Sequence, residues 1–273
     1  GQHSFFPPSG LRFMSRAWGI APVKHYFYDL HTHSALSPCG DNFMTPNNLA
    51  GFCALAGLQI VALTDHNTCG NCRPFMAACR RYGLCPVPGM ELTTAEEIHL
   101  VCLFPSLGAA LEFEELVRPR RMKLKNKKEI FGEQYLFDEE DRVVGEEPFF
   151  LPAATEIFLW ETPKLVSSCD GVCYPAHIDR PSGGLPFILG DFPPDFPFEV
   201  YELHDCTQKT EFEKRYPLLK EKYAVYSSDA HHPEQIRDAS HRISLDGQDE
   251  GALRQSLFCF LRNPVETGEE KQR

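Results

Sequence analysis

The stretch Tyr28-Asp29-Leu30-His31-Thr32-His33-Ser34 decides how the rest of the chain is interpreted. The apolar residues from Tyr26 to Leu30 predict a short β-strand, and residues two apart in a strand face the same side. His31 and His33 therefore leave the strand end on one face, close enough to bind one metal ion. A histidine pair is weak evidence alone, because an isolated histidine is usually a packed core or surface residue.

Length and composition favour one domain that carries an insertion. The chain has 273 residues, of which 42% are hydrophobic, so it can bury a large core. No apolar run approaches the roughly 20 residues that span a bilayer, so we expect no membrane partner. A net charge of -11 argues against a broad nucleic-acid-binding surface. We expect residues 1–24 to be an N-terminal extension, 25–262 the domain and 263–273 a polar tail.

The cysteines favour a reducing compartment. There are 11, an odd number without the spacing of a disulfide framework, which predicts free thiols and a cytoplasmic protein. Cys69-Gly-Asn-Cys72 has the spacing of redox or zinc sites. No second pair of this spacing accompanies it and its context is not that of a thioredoxin motif, so a redox role is disfavoured.

Strands and helices alternate along most of the chain. Thr45-Pro46 predicts a helix start, with an N-cap followed by proline at the first helical position. Helices are expected at about 46–56, 71–82, 211–222 and 251–261, and strands at 59–64, 84–87, 98–104, 171–176, 198–203 and 223–227. Residues 105–168 break the alternation with a basic run and a hairpin of 134–137 and 142–144, so we interpret them as an insertion. Residues 180–197 are expected to form a long loop.

Six polar residues follow the ends of these predicted strands. In parallel α/β barrels the chemistry is assembled at the rim formed by the carboxyl ends of the strands. A chance scatter of histidines would not favour this placement, so the pattern predicts a metal site there. About seven strands suit a barrel, although a doubly wound open sheet remains possible. The six residues are His31, His33, His66, His177, Asp229 and His231.

Five short motifs resemble those of the PHP family, whose initials stand for polymerase and histidinol phosphatase. They are Asp-Leu-His31-Thr-His33-Ser, Thr64-Asp65-His66, Pro88-Gly-Met-Glu91 with His99 following, Pro175-Ala-His177 and Ser228-Asp229-Ala-His231. The resemblance covers about residues 26–245, with the motifs in the family's order. It implies an α/β fold, a distorted (β/α)7 barrel with a small inserted lid-like segment, and two or three metals that hydrolyse phosphoesters.

The resemblance also implies which residues bind each metal. His31, His33, Glu91 and Asp229 would bind the first. Glu91 would bridge to a second, which His99 and His177 also bind. A third would be held by Asp41, His66 and His231, although some family members have a histidine at the position of Asp41. The insertion resembles that of a small phosphoesterase branch that includes nucleotide phosphatases.

The residue types fit this chemistry on physical grounds. Imidazole suits Zn, Fe or Mn, and carboxylates suit harder ions, so a mixed set is typical of hydrolytic clusters. Two metals about 3.5–4 Å apart lower the pKa of a bridging water and neutralise phosphoryl charge. We expect catalytic roles for Glu91, Asp65 and Asp229. Asp65 would orient His66 or a water on the metal, unless it is an exposed turn aspartate.

Candidate substrate contacts lie outside the motifs. Arg180 has the planar fork that binds phosphate, unless it forms a surface salt bridge. His204 follows a strand end and lines the cavity, or it has no site role. Seven basic residues between Arg118 and Lys128 form either a solvated face or a lid that attracts anionic substrates.

The sequence therefore predicts a cytoplasmic metal-dependent phosphoesterase with two to three divalent transition metals (Zn, Mn or Fe). It would hydrolyse a small phosphorylated metabolite or a nucleotide with a metal-bound hydroxide. One alternative is an exonuclease on short oligonucleotides, the only nucleic acid expected as a substrate. The others are a non-catalytic metal-binding PHP module and a metal-dependent amidohydrolase.

Overall fold

The structure is a computed structural model that describes residues 24–264. The expected N-terminal extension at 1–24 and the polar tail at 263–273 therefore lie almost wholly outside the described residues. Within them the strands are β1 Lys24–Asp29, β2 Ile60–Leu63, β3 Cys85–Thr93, β4 His99–Leu103, β5 Tyr135–Phe137, β6 Val143–Glu146, β7 Val172–Pro175, β8 Val200–Leu203, β9 Tyr223–Tyr226 and β10 Arg242–Leu245. The helices are α1 Pro46–Leu55, α2 Cys72–Arg81, α3 Leu107–Val117, α4 Lys128–Phe131, α5 Thr162–Ser168, α6 Leu185–Leu189, α7 Lys209–Arg215 and α8 Glu250–Arg262.

The fold is mixed α/β, built on a curled sheet with the strand order β10-β1-β2-β3-β4-β7. β1, β2 and β3 are parallel, but β4 is antiparallel to both of its neighbours. This mixed order departs from uniform β/α alternation, so the seven-unit barrel stays a prediction. β8 and β9 pair in parallel, and a bridge between Thr32 and Ala230 joins the end of β9 to the end of β1. The carboxyl ends of β1 and β9, which are far apart in sequence, therefore lie side by side.

Two apolar cores lie on opposite faces of the sheet. Along β2, Ile60 and Ala62 belong to one core while Val61 and Leu63 belong to the other, as strand alternation requires. The first core is covered by α8, and the second by α1, α2 and α3. Side chains that leave these strands at their carboxyl ends are therefore fixed by packing on both sides.

Residues 105–168 begin with α3, which packs on the second core, and continue as irregular structure with short elements, including the expected hairpin of β5 and β6. Two buried amide side chains from the loop between β2 and α2 hold this segment in place. Asn71 donates to the Tyr135 carbonyl oxygen, and Asn67 donates to those of Leu151 and Ala153. Because these bonds end on backbone groups, the segment has a fixed position beside the strand ends. Its status as an inserted lid stays a prediction.

Some elements differ from the sequence expectations. β3 continues through Pro88-Gly89 to Thr93, where a strand end was expected at Val87. The expected helix at 211–222 stops at Arg215, because Pro217 begins a separate 3-10 turn. β10 and α6 were not expected. Among residues 24–264, no helix is long and apolar enough to cross a membrane, and all 11 cysteines are free.

Candidate metal centre

The two histidines that follow β1 lie at the centre of the site. His31 and His33 are fully buried, and their Nε2 atoms are 3.1 Å apart. Each Nε2 also lies close to a carboxylate of Glu91 (3.4 and 3.2 Å) and to Asp229 (3.2 and 3.1 Å). The strand end thus delivers two imidazoles to one point between two carboxylates.

Glu91, on β3, faces two sets of imidazoles with its two oxygens. Its Oε2 lies 3.2 Å from His33 Nε2 and 3.0 Å from His66 Nδ1. Its Oε1 lies 2.8 Å from His99 Nδ1 and 3.1 Å from His177 Nε2. The Glu91 side chain is 1% exposed, so neither oxygen is solvated by bulk water. The carboxylate therefore stands between two groups of nitrogen donors.

Three groups of side chains have ligand atoms close enough to share a cation. In each group the ligand atoms lie within 4.8 Å of one another. The groups are His31-His33-Glu91-Asp229, Glu91-His99-His177 and His33-His66-His231. The first two match the expected sets, while the third contains His33 and lacks Asp41.

The buried polar atoms of these groups fit a bound cation. Glu91 Oε2, Asp229 Oδ1 and His66 Nδ1 are buried and make no well-directed hydrogen bond to the described residues, although ion-pair partners lie 3.0–3.2 Å away. Burying an unpaired carboxylate oxygen or imidazole nitrogen is costly, and a cation would satisfy all three. The mixed imidazole and carboxylate donors suit Zn, Mn or Fe. The donor set is therefore that of a divalent transition-metal site.

Asp41 lies outside the third group. Its Oδ2 is 3.7 Å from His232 Nδ1, and its Oδ1 accepts a hydrogen bond from the Phe43 backbone. Cys39, two residues earlier in the same loop, lies close to the third group, with its Sγ 3.5 Å from His66 Nε2. The Asp41 carboxylate therefore lies in the loop that follows, rather than among the imidazoles.

Asp65 positions His33 rather than His66. It is buried and accepts hydrogen bonds from the backbone and hydroxyl of Ser34 and from the hydroxyl of Ser37. Ser37 Oγ lies 2.9 Å from His33 Nδ1 and accepts its proton, since its own proton goes to Asp65. This chain of bonds leaves Nε2 of His33 as the lone-pair atom that faces Glu91.

Glu202, on β8, holds His31 in the same way, and sequence reasoning missed it. Its Oε1 lies 2.9 Å from His31 Nδ1 and accepts the His177 backbone N–H at 3.0 Å. Such a carboxylate fixes the imidazole tautomer and raises ligand basicity. The one available signal was the position of Glu202 between the apolar residues Val200, Tyr201 and Leu203 of the expected strand.

Without a bound cation, the charges of the site shift its pKa values. Burial works against protonation of His33, but hydrogen bonds and charge from Asp229 and Glu91 raise its pKa to about 9. Burial would raise the pKa of Glu91, yet His99 and the other imidazoles hold it well below its ordinary value. Burial lowers the pKa of His231 to about 3. In the metal-free site, some imidazoles are therefore protonated near neutral pH and others are neutral.

Arg180 lies at the approach to the groups, and His204 lies behind it. Arg180 donates to Asp229 Oδ2 at 2.7 Å and lies 2.8 Å from His204 Nε2. Arg180 is 40% exposed and lines a cavity of about 240 Å³ with Cys39, His66, Glu91, His99, His177, Ser182, Asp229 and His231. His204 lies behind Arg180 and also contacts Arg237, outside that lining.

Comparison with known proteins gives matches of both sequence and structure. The PHP domain model matches residues 29–140. A 5'-3' exoribonuclease from Haemophilus influenzae is 30% identical over 102 residues, which cover 34% of this chain and 36% of that protein. Endonuclease Q from Pyrococcus furiosus has a TM-score of 0.61 at 16% identity over 89% of this chain and 57% of its own.

A smaller protein matches over nearly its full length. A candidate metal-dependent phosphoesterase from Bifidobacterium adolescentis has a TM-score of 0.53 at 18% identity, over 84% of this chain and 95% of its own. At these identities the solved structures share the fold. This chain covers about a third of the exoribonuclease and just over half of the endonuclease. The PHP domain match at residues 29–140 covers the part of the chain that carries His31, His33, Asp65, His66, Glu91 and His99.

Proposed function

We propose that this chain is a metal-dependent hydrolase that acts on a phosphoester bond of a small phosphorylated metabolite or a nucleotide. The observation that carries the proposal is the position of Glu91, whose two oxygens face different donor groups at 2.8–3.4 Å. A carboxylate in this position can hold two cations side by side. Paired cations are the common feature of sites that displace groups on phosphorus.

Each side chain has a definite part in the proposed site. His31, His33, Glu91 and Asp229 would hold one metal, and Glu91, His99 and His177 a second. The metals, when bound, would supply an activated water and neutralise charge on the phosphoryl group. Glu202 and Asp65 would keep the Nε2 lone pairs of the two central imidazoles directed into the site.

Arg180 is the proposed phosphate-binding cation. Its guanidinium enters the cavity from the loop after β7, and a planar guanidinium binds two phosphate oxygens at once. Its present bond to Asp229 keeps it extended toward the cavity floor. In this arrangement the chain itself provides a positive charge in the lining of the cavity.

Charge pairing supports a small substrate over a long polyanion. Within the basic run, Arg118, Arg120, Arg121 and Lys128 each pair with a neighbouring carboxylate. A long nucleic acid needs a track of unpaired cations, because phosphate contacts dominate its affinity. These four ion pairs reduce the positive charge that the segment offers to a polyanion, which favours the cavity itself as the phosphate-binding site.

A short-oligonucleotide exonuclease is the second candidate. The supporting observation is the similarity to an exoribonuclease and to an endonuclease that shares the fold. Both activities break a phosphoester, so they would use the same donor groups and differ in what lies beyond the cavity. The 11 free thiols support the cytoplasmic location expected from the sequence.

Glu91→Gln tests the proposal. An amide offers only one acceptor oxygen and no charge, so we expect the variant to lose metal from two groups and turnover to fall about 1,000-fold, which is about 4 kcal/mol of transition-state stabilisation. Metal content by elemental analysis and turnover on a phosphoester panel are measured together. His231→Ala should change only the third group. Glu112→Gln, an exposed carboxylate, is the control.

The substrate panel separates the alternatives. It contains phosphomonoesters, cyclic nucleotides, short oligonucleotides and amides, each assayed with Mn, Zn and Fe. Hydrolysis of oligonucleotides from one end would select the exonuclease, and hydrolysis of amides alone would select an amidohydrolase. Full metal content with no turnover of any class would indicate the non-catalytic module. Unchanged metal content and turnover in Glu91→Gln would contradict the proposed site.

A further inference from the structure

A second cavity opens from the metal centre on the side of His99. It has a volume of about 500 Å³, within the range of roughly 300–1,000 Å³ usual for small-molecule sites. His99 and Ser182 line both this cavity and the one beside Glu91. A ligand whose phosphoryl group lay among the imidazoles would therefore extend into the second cavity past His99.

Apolar side chains contribute to two parts of the lining of this cavity. One wall comes from Met122, Leu124 and Phe150, and the other from Pro181 and Ile188. The charged side chain in the lining is Glu97, which repels anions. The cavity thus suits the uncharged end of a substrate and disfavours a second phosphate.

Several large apolar side chains of this cavity are partly exposed. Met122 is 51% exposed, Leu124 49% and Ile188 39%. Contiguous exposed apolar surface beside a site marks ligand binding in many proteins. Phe150 and the Met122 thioether favour a flat ring as the occupant, since rings stack on aromatic faces and sulfur packs well against ring edges.

Alternation along an extended segment separates apolar from basic side chains. Antiparallel bridges pair Arg121 with Thr155 and Lys125 with Phe149, so residues 121–125 are extended. Met122 and Leu124 consequently line the second cavity, whereas Arg121 and Lys123 do not. Within residues 121–125, the side chains that line the second cavity are therefore apolar, and the basic ones lie outside its lining.

We infer that this cavity binds an aromatic or heteroaromatic ring carried by the leaving group of the substrate. The inference rests on the proposed phosphoester hydrolysis and specifies its substrate class. The phosphoryl group would lie among His31, Glu91 and His177, and the ring would lie between Leu124 and Ile188. A phosphorylated metabolite with only a short polar leaving group would leave the apolar walls exposed.

Two matched phosphomonoesters test the inference. The first is 2-(1-naphthyl)ethyl phosphate and the second is ethyl phosphate, which release alcohols of similar acidity, so intrinsic reactivity does not bias the comparison. We expect kcat/KM to favour the naphthyl compound by roughly 10-fold or more in the wild-type protein. Leu124→Gln should remove most of this preference and leave ethyl phosphate unchanged. Lys123→Gln, the adjacent residue on the other face, should change neither substrate.

Binding measurements keep this test independent of turnover. Calorimetry on the metal-loaded protein compares 1-naphthylmethylphosphonate with methylphosphonate, which are not hydrolysed. Tighter binding of the naphthyl compound to wild type but not to Leu124→Gln supports the cavity even if no phosphoester is hydrolysed. Equal affinities, or equal losses in Leu124→Gln and Lys123→Gln, overturn the inference while hydrolysis of ethyl phosphate would leave the proposed function standing.

Discussion

Gly183 determines where the His99 ring can lie. The glycine has φ +72°, and a Cβ at this position would come within 2.4 Å of the His99 imidazole. The Gly183 carbonyl oxygen also accepts the His99 backbone N–H at 2.9 Å. The loop after β7 therefore packs directly on a nitrogen donor of the second group. Because Gly183 has a hydrogen where other residues have a Cβ, the His99 imidazole can lie against Glu91.

Gly183→Ala should displace His99 and weaken the second group. We expect the variant to lose about one equivalent of metal and roughly 10–100-fold of turnover, the range typical when the support of a metal ligand is disturbed. Gly190→Ala is the matched control, because Gly190 also has a positive φ (+81°) but a Cβ there meets nothing within 4 Å. Backbone strain alone would lower stability in both variants equally. Equal metal content in the two would contradict this role for Gly183.

Single residues also show what sequence can reveal about the site. His31 and His33 could be predicted because strand alternation is local and sends both to one face. The partners of Asp65 could not be, because its bond to Ser37 depends on how the loop after β1 folds back. Cys39 and Asp41 show the same limit, since two residues of loop decide which side chain reaches the imidazoles.

At the level of elements, β8 positions two histidines of the candidate metal centre. Its residues are fully buried, yet it carries Glu202, whose carboxylate accepts from His31 and from the backbone of His177. One buried strand thereby fixes two ligands that belong to different donor groups. The apolar residues of β8 predicted the strand from the sequence. The same pattern does not show that the Glu202 carboxylate contacts His31.

Glu202→Gln should weaken metal binding without unfolding the protein. The amide oxygen still accepts a hydrogen bond from His31 but no longer raises the basicity of the imidazole, so we expect affinity to fall about 10–100-fold. Competition with a chromophoric chelator measures this affinity. Glu199→Gln is the control, since Glu199 precedes the same strand, is 54% exposed and pairs with Lys222. If both variants bind metal like the wild type, Glu202 has no positioning role.

At the level of the whole molecule, the site exists only once the sheet has curled. His31 and Asp229 are almost 200 positions apart, and the backbone bond from Asp229 to the His31 carbonyl oxygen brings their side chains together. The rule that chemistry gathers at strand ends predicted this convergence from sequence. It did not predict the antiparallel β4, because hydrophobic patterns carry no strand direction.

Metal removal should reverse how stability depends on pH. In the metal-free protein the pKa of His33 is raised from 6.5 to about 9 by Asp229 and Glu91, against the effect of burial. The resulting stabilisation is fully present below pH 6.5 and is lost as pH rises through 9, by up to roughly 3 kcal/mol. Metal binding needs the neutral imidazole, so metal affinity should rise over the same range.

The melting temperatures of chelator-treated and metal-loaded protein, measured by calorimetry between pH 6.5 and 9.5, test this expectation. We expect the metal-free value to fall with pH while the loaded value holds or rises, so that the two curves diverge. Metal-free His33→Asn should show a flatter decline, because it lacks the imidazole that releases its proton to solvent. Parallel curves for loaded and metal-free protein would mean that protonation of His33 does not oppose metal binding.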